Sequence, residues 1–296
     1  MFKNVIVGVD GNEGGHDAIA LARVLLADGG ELTLGYVYHG DPHLWRGSSA
    51  AYDAAERNRA GELLEQTCED AGIEAHLRWR GSPSVGRGLH ELTETIGADL
   101  LVIGSSSRGL LGRVLVGDDT RASLNGAPCA VAIAPAGYSR KPVAMREIGI
   151  AYNGTGESEH AVSVARKLAS QHGAKLSAFE AVSLPTYAFA GGPAPIDGVI
   201  EALIDDARER IATLGGVEPH AAYGIPAEEL ALYSASTDLL IVGSRDYGPI
   251  GRVVHGSTSQ QLARSARCPL LVLTRAARNA DMPEASANVA SVPASA

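Results

Sequence analysis

One loop sequence occurs twice in this chain, and this repeat constrains the fold more than any other feature. Residues 104–117 read GSSSRGLLGRVLVG, and residues 243–256 read GSRDYGPIGRVVHG, at a constant offset of 139 residues. Each loop follows an apolar run (DLLVI, DLLIV) and precedes another (CAVAIA, CPLLVL). A glycine-rich loop that leaves a buried strand is where α/β proteins bind phosphate groups. The duplicated loop therefore predicts two copies of one nucleotide-fold domain.

The repeat extends well beyond this loop. Residues 7–22 (VGVDGNEGGHDAIALA) match residues 150–165 (IAYNGTGESEHAVSVA) at an offset of 143, which pairs Asp10 with Asn153. A repeat of this length is a whole domain rather than a solenoid unit of about 20–50 residues. We predict a first domain over 1–135, a linker over 136–146, a second domain over 147–275, and a disordered tail rich in Ala, Ser and Pro over 276–296.

Composition argues against several classes of protein. The chain carries 34 acidic and 25 basic residues, and its net charge of −9 disfavours non-specific binding to nucleic acid. Its apolar runs are shorter than the roughly 18 residues of a membrane helix, and its start (FKNVIVGVD) reads as a strand rather than a signal peptide. Three cysteines without CxxC spacing argue against a disulfide framework or a zinc site. We expect a cytoplasmic protein in which Cys129 and Cys268 are buried structural thiols.

Each half alternates strand-like and helix-like segments. In the first half the apolar runs VIVGV, LTLGYVY, HLRWR, DLLVIG and AVAIA read as strands, and helical patterns cover 13–27, 50–71, 83–96 and the stretch after Gly117. The second half repeats this order from about Ile148 to Thr274. Such alternation builds a parallel sheet with helices on both faces, through right-handed crossovers. We predict an α/β fold of two tandem, doubly wound parallel-sheet domains.

Taken together, these segments resemble the universal stress protein family in its tandem two-domain form. The VDGN…DAIALA start, the DLLVIGS strand and the glycine loop form an ordered set that occurs in both halves. The resemblance implies a five-stranded sheet of order 3-2-1-4-5 in each half, with the halves paired through their last strands. In many members it also implies ATP at the carboxyl ends of the first and fourth strands, the switch point of a doubly wound sheet. A homodimer of chains is a further candidate partner.

The resemblance also predicts which residues bind the nucleotide. An acid at the position of Asp10 contacts the nucleoside in the family, and an apolar residue at the position of Val37 packs against adenine. Gly104 lets a ligand approach the backbone because it has no Cβ, and Gly117 precedes a helix whose free N–H groups suit phosphate oxygens. Asp10 as an acid at a helix start, and Gly117 as a plain turn glycine, remain the structural alternatives. The full predicted set is Asp10, Val37, Gly104, Ser107, Arg113 and Gly117 in the first half and Asn153, Gly243, Arg252, Gly256, Ser257 and Thr258 in the second.

The first half departs from the family pattern Gly-x2-Gly-x9-Gly-Ser/Thr. Ser107 replaces the middle glycine, and Asp118 and Asp119 stand where a phosphate-binding hydroxyl is expected. A carboxylate about 4 Å from a phosphate charge costs roughly 1 kcal/mol in water and about 4 kcal/mol at the dielectric constant of a partly buried site. We therefore expect this half to favour adenosine or AMP over ATP, unless Mg²⁺ bridges the two acids and the phosphates.

The second half has the complementary departure. Gly256, Ser257 and Thr258 keep the phosphate end, whereas Asn153 replaces the acid and Asp246 replaces the middle glycine. Arg113 and Arg252 lie at matching places inside the two loops and could offset the added negative charge. Any ATP held with Mg²⁺ is therefore expected in the second half.

Three functions are open at this point. The first is a stress-response protein that binds ATP or AMP without catalysis and uses it to bias its conformation or its partners. The second is a scaffold of the same fold whose sites have decayed, and the third is a slow ATP-hydrolysing enzyme. The sequence contains no GxxxxGK[ST], SGGxDS or HxGH motif and no nucleophile elbow, which argues against the enzyme. We therefore predict no catalytic residues.

Overall fold

The computed structural model describes residues 2–40, 49–105, 114, 122–141, 144–183, 196–244 and 257–273. Its strands are Phe2–Gly8 (β1), Leu26–His39 (β2), His76–Ser82 (β3), Leu100–Gly104 (β4), Ala130–Ala134 (β5), Glu147–Ala151 (β6), Lys175–Val182 (β7), Glu218–Tyr223 (β8), Leu239–Gly243 (β9) and Leu270–Leu273 (β10). Its α-helices are Glu13–Leu25 (α1), Ser49–Ala71 (α2), Val85–Ile96 (α3), Gly156–His172 (α4), Ile196–Ala212 (α5), Pro226–Tyr233 (α6) and Ser257–Ser265 (α7). The predicted disordered tail lies outside the described residues.

All ten strands belong to one sheet, in the order β3-β2-β1-β4-β5-β10-β9-β6-β7-β8. Neighbours within each half run parallel, and each half has the order 3-2-1-4-5. β5 and β10 run antiparallel, with Val131 opposite Val272 and Ile133 opposite Leu270. The predicted α/β, doubly wound fold is confirmed, and the pairing of last strands merges two five-stranded sheets into one.

The sheet is buried on both faces where the halves meet. All five residues of β5 and all four of β10 are buried, which explains their uninterrupted apolar sequences. One core cluster on the first face includes Val5 and Leu21 together with Ile150 and Leu168, so it contains residues of both halves. The cluster on the opposite face also spans the junction. Pairing β5 with β10 covers two sheet edges that would otherwise be open to aggregation.

A repeated aspartate ties the central strands together at their amino ends. The side chain of Asp99 accepts hydrogen bonds from the backbone N–H of Lys3 (2.8 Å) and of Asn4 (3.2 Å). Asp238, at the matching place in the second half, accepts them from Arg146 (2.8 Å) and Glu147 (2.9 Å). The aspartate of each DLL run therefore holds the fourth strand of its half beside the first.

The predicted element boundaries shift at two places. β2 begins at Leu26, directly after α1, whereas the sequence predicted a helix to residue 27. Gly29 (φ +72°) and Gly30 follow closely, and glycine is a poor helix former. The helix predicted from Pro83 begins at Val85, because Ser84 is its N-cap and accepts a hydrogen bond from the N–H of Arg87.

The two halves fill equivalent space under the third helix of each half with different residues. α3 is a 12-residue α-helix, whereas α6 has 8 residues and is followed directly by a 3₁₀ turn at Ser234–Ser236. In the first half, Gly35 of β2 lies under Ile6 and Leu92. In the second half the large residue stands on β7, where Phe179 stacks on Tyr233 with ring centroids 4.9 Å apart. The large side chain is thus Ile6 on β1 in the first half and Phe179 on β7, the second strand of its half, in the second.

Two further predictions concern exposure. Cys129 and Cys268 are buried thiols one residue before β5 and two residues before β10, and their burial is as predicted. Burial raises the pKa of each thiol from 9.0 to about 12. In the part of the chain that the structure describes, no helix is both long enough and apolar enough to cross a membrane.

Candidate functional site

The carboxyl edge of β1, β2 and β4 brings three predicted binding residues together. β1 lies between β2 and β4, so the chain leaves β1 at a topological switch point, where doubly wound sheets form a crevice. Gly8 is paired with Gly35, and Asp10 and Val37 each lie two residues beyond this pair. Gly104 ends β4 on the other side of β1. Asp10, Val37 and Gly104 therefore share one edge of the sheet.

Asp10 is exposed at this edge and is held by one neighbour. Its Oδ1 accepts a hydrogen bond from the backbone N–H of Asn12 (3.1 Å), and its Oδ2 accepts one from the Nδ2 of the same residue (2.9 Å). Asn12 is the N-cap residue of α1. An ionised carboxylate has about four acceptor positions. Asp10 therefore keeps acceptor capacity for a hydroxyl group of a ligand.

Asn153 occupies the matching place in the second half but has a different hydrogen-bonding state. Its single amide oxygen accepts from the backbone N–H of Thr155 (3.3 Å) and from the hydroxyl of the same residue (2.7 Å). A carbonyl oxygen has two lone pairs. Both are used, so the oxygen of Asn153 has no acceptor position left for a ribose hydroxyl.

The apolar position also differs between the halves. Val37 is half-buried and packs on α3, where a Cβ on Gly88 would lie 2.6 Å from Val37 Cγ1. The strand register places Ala181 at the matching position, because Ala151 is paired with Phe179 as Gly8 is with Gly35. Alanine presents less apolar surface than valine. The first half therefore offers the larger apolar contact for a planar base.

The two glycines that end the fourth strands meet the chain itself. A Cβ on Gly104 would lie 2.0 Å from the carbonyl oxygen of Gly14 in α1. A Cβ on Gly243 would lie 2.8 Å from the carbonyl oxygen of Glu157, the matching residue of α4. We predicted that the lack of a Cβ at Gly104 lets a ligand approach the backbone. In both halves the lack of a Cβ also lets the first turn of a helix pack on the glycine.

The remaining predicted residues belong largely to the glycine loops. Thr258 is half-buried in the first turn of α7, and Ser257 begins that helix. Because α7 connects the parallel strands β9 and β10, its start lies on the side of the sheet where β9 ends, and the free N–H groups of a helix start suit phosphate oxygens. Several predicted positions lie outside the described residues: Ser107, Arg113, Gly117, Asp118, Asp119, Asp246, Arg252, Gly256 and the side chain of Ser257.

The structure adds neighbours that the sequence analysis missed. The turn glycines Gly11 (φ +78°) and Gly154 (φ +71°) follow Asp10 and Asn153. A Cβ on Gly11 would lie 3.2 Å from Leu63 Cδ1, whereas a Cβ on Gly154 would lie 3.6 Å from Arg210 Cδ. These long-range contacts join the site to α2 and α5, and local sequence carries no signal of them.

Arg210 belongs to a group of charged residues near the carboxyl edge of the sheet in the second half. It binds Glu180 through Nε (3.3 Å) and Nη2 (3.0 Å), in the two-bond geometry that suits arginine and a carboxylate. Tyr152 donates to Glu159 nearby, and burial together with Glu159 raises the pKa of Tyr152 to about 12. Among the described residues, no group of three His, Cys, Asp or Glu side chains could hold a metal ion.

Comparisons with a family profile and with individual relatives indicate the same protein family. The sequence profile of the universal stress protein family matches residues 1–135 and 145–274. A universal stress protein of Mycobacterium tuberculosis is 28% identical over 247 residues, which cover 78% of this chain and 81% of the relative. A universal stress protein of Thermus aquaticus is 30% identical over 136 residues, 44% of this chain and 98% of its own length.

A solved structure shares the whole fold. The crystal structure of a universal stress protein from Archaeoglobus fulgidus superposes with a TM-score of 0.66 at 18% identity, and the match covers 93% of this chain and 99% of that one. At this identity the likeness shows the fold alone. Because the family profile matches both halves, the chain belongs to the universal stress protein family, in its tandem two-domain form.

Proposed function

We propose that this protein binds an adenine nucleotide, AMP or ATP, at the carboxyl edge of β1, β2 and β4 and acts as a non-catalytic regulatory module in the cytoplasm. The observation that carries the proposal is the state of Asp10, an exposed carboxylate at the switch point with acceptor positions left. The two hydroxyls of a ribose are donors that match such an acceptor, and hydrogen bonds to a charged group are the stronger kind. Val37, in the next strand, supplies an apolar contact for the base.

We propose the first half as the principal nucleoside site. The oxygen of Asn153 is saturated by Thr155, and Ala181 replaces Val37 at the second edge. Glu157, an acidic residue, also packs its backbone and Cβ against Gly243, where the first half has Gly14. Binding of Mg²⁺-ATP through Gly256, Ser257 and Thr258 stays a separate prediction from the loop sequence.

One observation favours a second candidate, a nucleotide-free scaffold. The packing of Gly14 on Gly104, and of Glu157 on Gly243, explains both glycines without any ligand. The two candidates differ in what the purified protein carries. Mass spectrometry of small molecules released from the native protein should find an adenine compound if the first proposal holds. An empty protein that also fails to bind added AMP and ATP would favour the scaffold.

A reciprocal pair of substitutions tests the site directly. Asp10→Asn copies the second half, and Asn153→Asp copies the first, so each variant serves as the control for the other. Loss of a hydrogen bond to a charged group costs about 1.5–3 kcal/mol, so Asp10→Asn should weaken AMP binding by roughly 10- to 100-fold in isothermal titration calorimetry. Asn153→Asp should leave this site unchanged. Unaltered AMP affinity in Asp10→Asn would place the ligand elsewhere.

A further inference from the structure

Helix α1 carries a buried carboxylate that holds the linker between the halves. Asp17 is 2% exposed and accepts three hydrogen bonds of 2.7 Å, from the N–H of Gly137, the N–H of Ser139 and the hydroxyl of Ser139. In the first turn of the helix, Glu13 forms an ion pair with Arg140. We call these residues, Glu13, Asp17, Gly137, Ser139 and Arg140, the linker clasp.

The same helix touches the proposed nucleotide site and the second half. Asn12, which is bonded twice to Asp10, is its N-cap residue, and the carbonyl oxygen of Gly14 lies against Gly104. At the other end of the helix, the carbonyl oxygen of Leu26 accepts a hydrogen bond from Gln171 of α4 (3.4 Å). One rigid element thus connects the site, the linker and the second domain.

The chemistry of the linker clasp restricts how it can open. When it is closed, three donors satisfy the carboxylate of Asp17. Partial opening would leave a buried charge without partners, which is strongly unfavourable, so the clasp opens only when water reaches the carboxylate. A cleft of about 510 Å³, lined by Glu13, His16, Asp17, Arg23 and Arg140 among others, lies beside it and has room for that water. At the matching position of the second half stands His160, which is not a carboxylate.

We infer that the linker clasp regulates the first-half site: nucleotide bound at Asp10 holds the start of α1 in place and keeps the clasp closed. The inference rests on the proposed function. Asp17 does not touch the ligand in this scheme and is a positioning residue that acts through the helix. Because coupling between two sites is reciprocal, closing of the clasp by nucleotide and tightening of nucleotide binding by the clasp must be equal in size.

The experiment uses the full chain and two readouts. Hydrogen–deuterium exchange of the amides of Gly137 and Ser139 is measured with and without saturating AMP, and AMP affinity is measured by calorimetry in Ser139→Ala and Asp17→Asn. Ser139→Ala removes one of the three hydrogen bonds and should fold even if Asp17→Asn does not. Ser265→Ala, at a half-buried serine of α7 whose hydroxyl donates to Gln261 within its own helix, is the matched control.

We expect AMP to slow exchange of the two amides on the order of 10-fold, within the usual range of about 5- to 150-fold for coupled sites. AMP affinity should fall in Ser139→Ala, fall further in Asp17→Asn, and stay unchanged in Ser265→Ala. If AMP binds the unmodified protein but neither exchange nor affinity in the variants changes, the coupling is refuted and the nucleotide site stands. Failure of the unmodified protein to bind AMP refutes both.

Discussion

The carbonyl oxygen of Gly14 stands where a side chain on Gly104 would begin, since a Cβ there would be only 2.0 Å away. Glu157 has the same relation to Gly243, at 2.8 Å. In both halves the first turn of a helix thus packs on the end of the fourth strand. A substitution at Gly104 would displace α1 as well as any ligand. Loss of nucleotide binding in such a variant would therefore not identify a ligand contact.

The close contact predicts a loss of stability in Gly104→Ala. Overpacking costs about 1–3 kcal/mol, sometimes more, and the neighbour here is backbone that yields little. Gly243→Ala should cost less, because its distance is longer. Urea unfolding of the ligand-free protein measures both. Gly61→Ala in α2, with nothing within 4 Å of its Cβ position, is the control and should gain about 0.5–1 kcal/mol. Wild-type stability in Gly104→Ala would contradict the packing.

The loop of the first half predicts a preference among nucleotides. Asp118 and Asp119 should repel a triphosphate while leaving the contacts of the ribose and base intact. In EDTA, calorimetry should therefore show tighter binding of AMP than of ATP, and Mg²⁺ should narrow the difference by bridging carboxylates and phosphates. Asp118→Ser with Asp119→Thr should remove most of the preference. Equal affinity for AMP and ATP in EDTA would refute the charge argument.

The aromatic pair under α6 predicts a large loss of stability in Phe179→Ala. Phe179 is 8% exposed and stacks on Tyr233, whose hydroxyl is hydrogen-bonded to Ser177 at 2.6 Å. Truncation of a buried phenylalanine costs about 3–5 kcal/mol. Thermal and urea unfolding should show this loss. Tyr52→Ala, at a side chain that is 54% exposed, should stay within about 0.5 kcal/mol of wild type.

The buried thiols predict a loss of stability at high pH. Burial raises the pKa of Cys129 and Cys268 from 9.0 to about 12, so the folded state retains protons that the unfolded state loses. Their contribution is fully present below pH 9.0 and is lost as the pH rises towards about 12. Each thiol lowers the free energy of unfolding by up to about 1.4 kcal/mol per pH unit in this window.

Urea unfolding between pH 8 and 11 measures this slope. The double variant Cys129→Ala, Cys268→Ala should have a smaller slope, and the part that remains should come from the buried tyrosines, whose pKa values are also raised. Equal slopes in the two proteins would show that the thiols do not titrate with unfolding.

Sequence patterns predicted much of this fold because their causes are local. Uninterrupted apolar runs mark strands buried on both faces, and β5 and β10 have this burial. The repeat and the family resemblance gave the order 3-2-1-4-5 and the pairing of the last strands, which the sheet confirms. The domain boundaries at 135 and 147, and the roles of the glycine-loop residues, stay predictions.

In the candidate site, too, local features were predicted from the sequence and long-range contacts were not. The sequence by itself determined that Asp10, Val37 and Gly104 lie at or near the carboxyl ends of three strands, because strand ends follow from apolar periodicity and turn residues. Only the tertiary structure decided that Gly14 covers Gly104, that Arg210 stands by Gly154, and that Asp17 holds a linker more than a hundred residues away. Such contacts join residues that are far apart in the chain. They depend on how helices pack on the sheet, and periodicity within one segment carries no information about that packing.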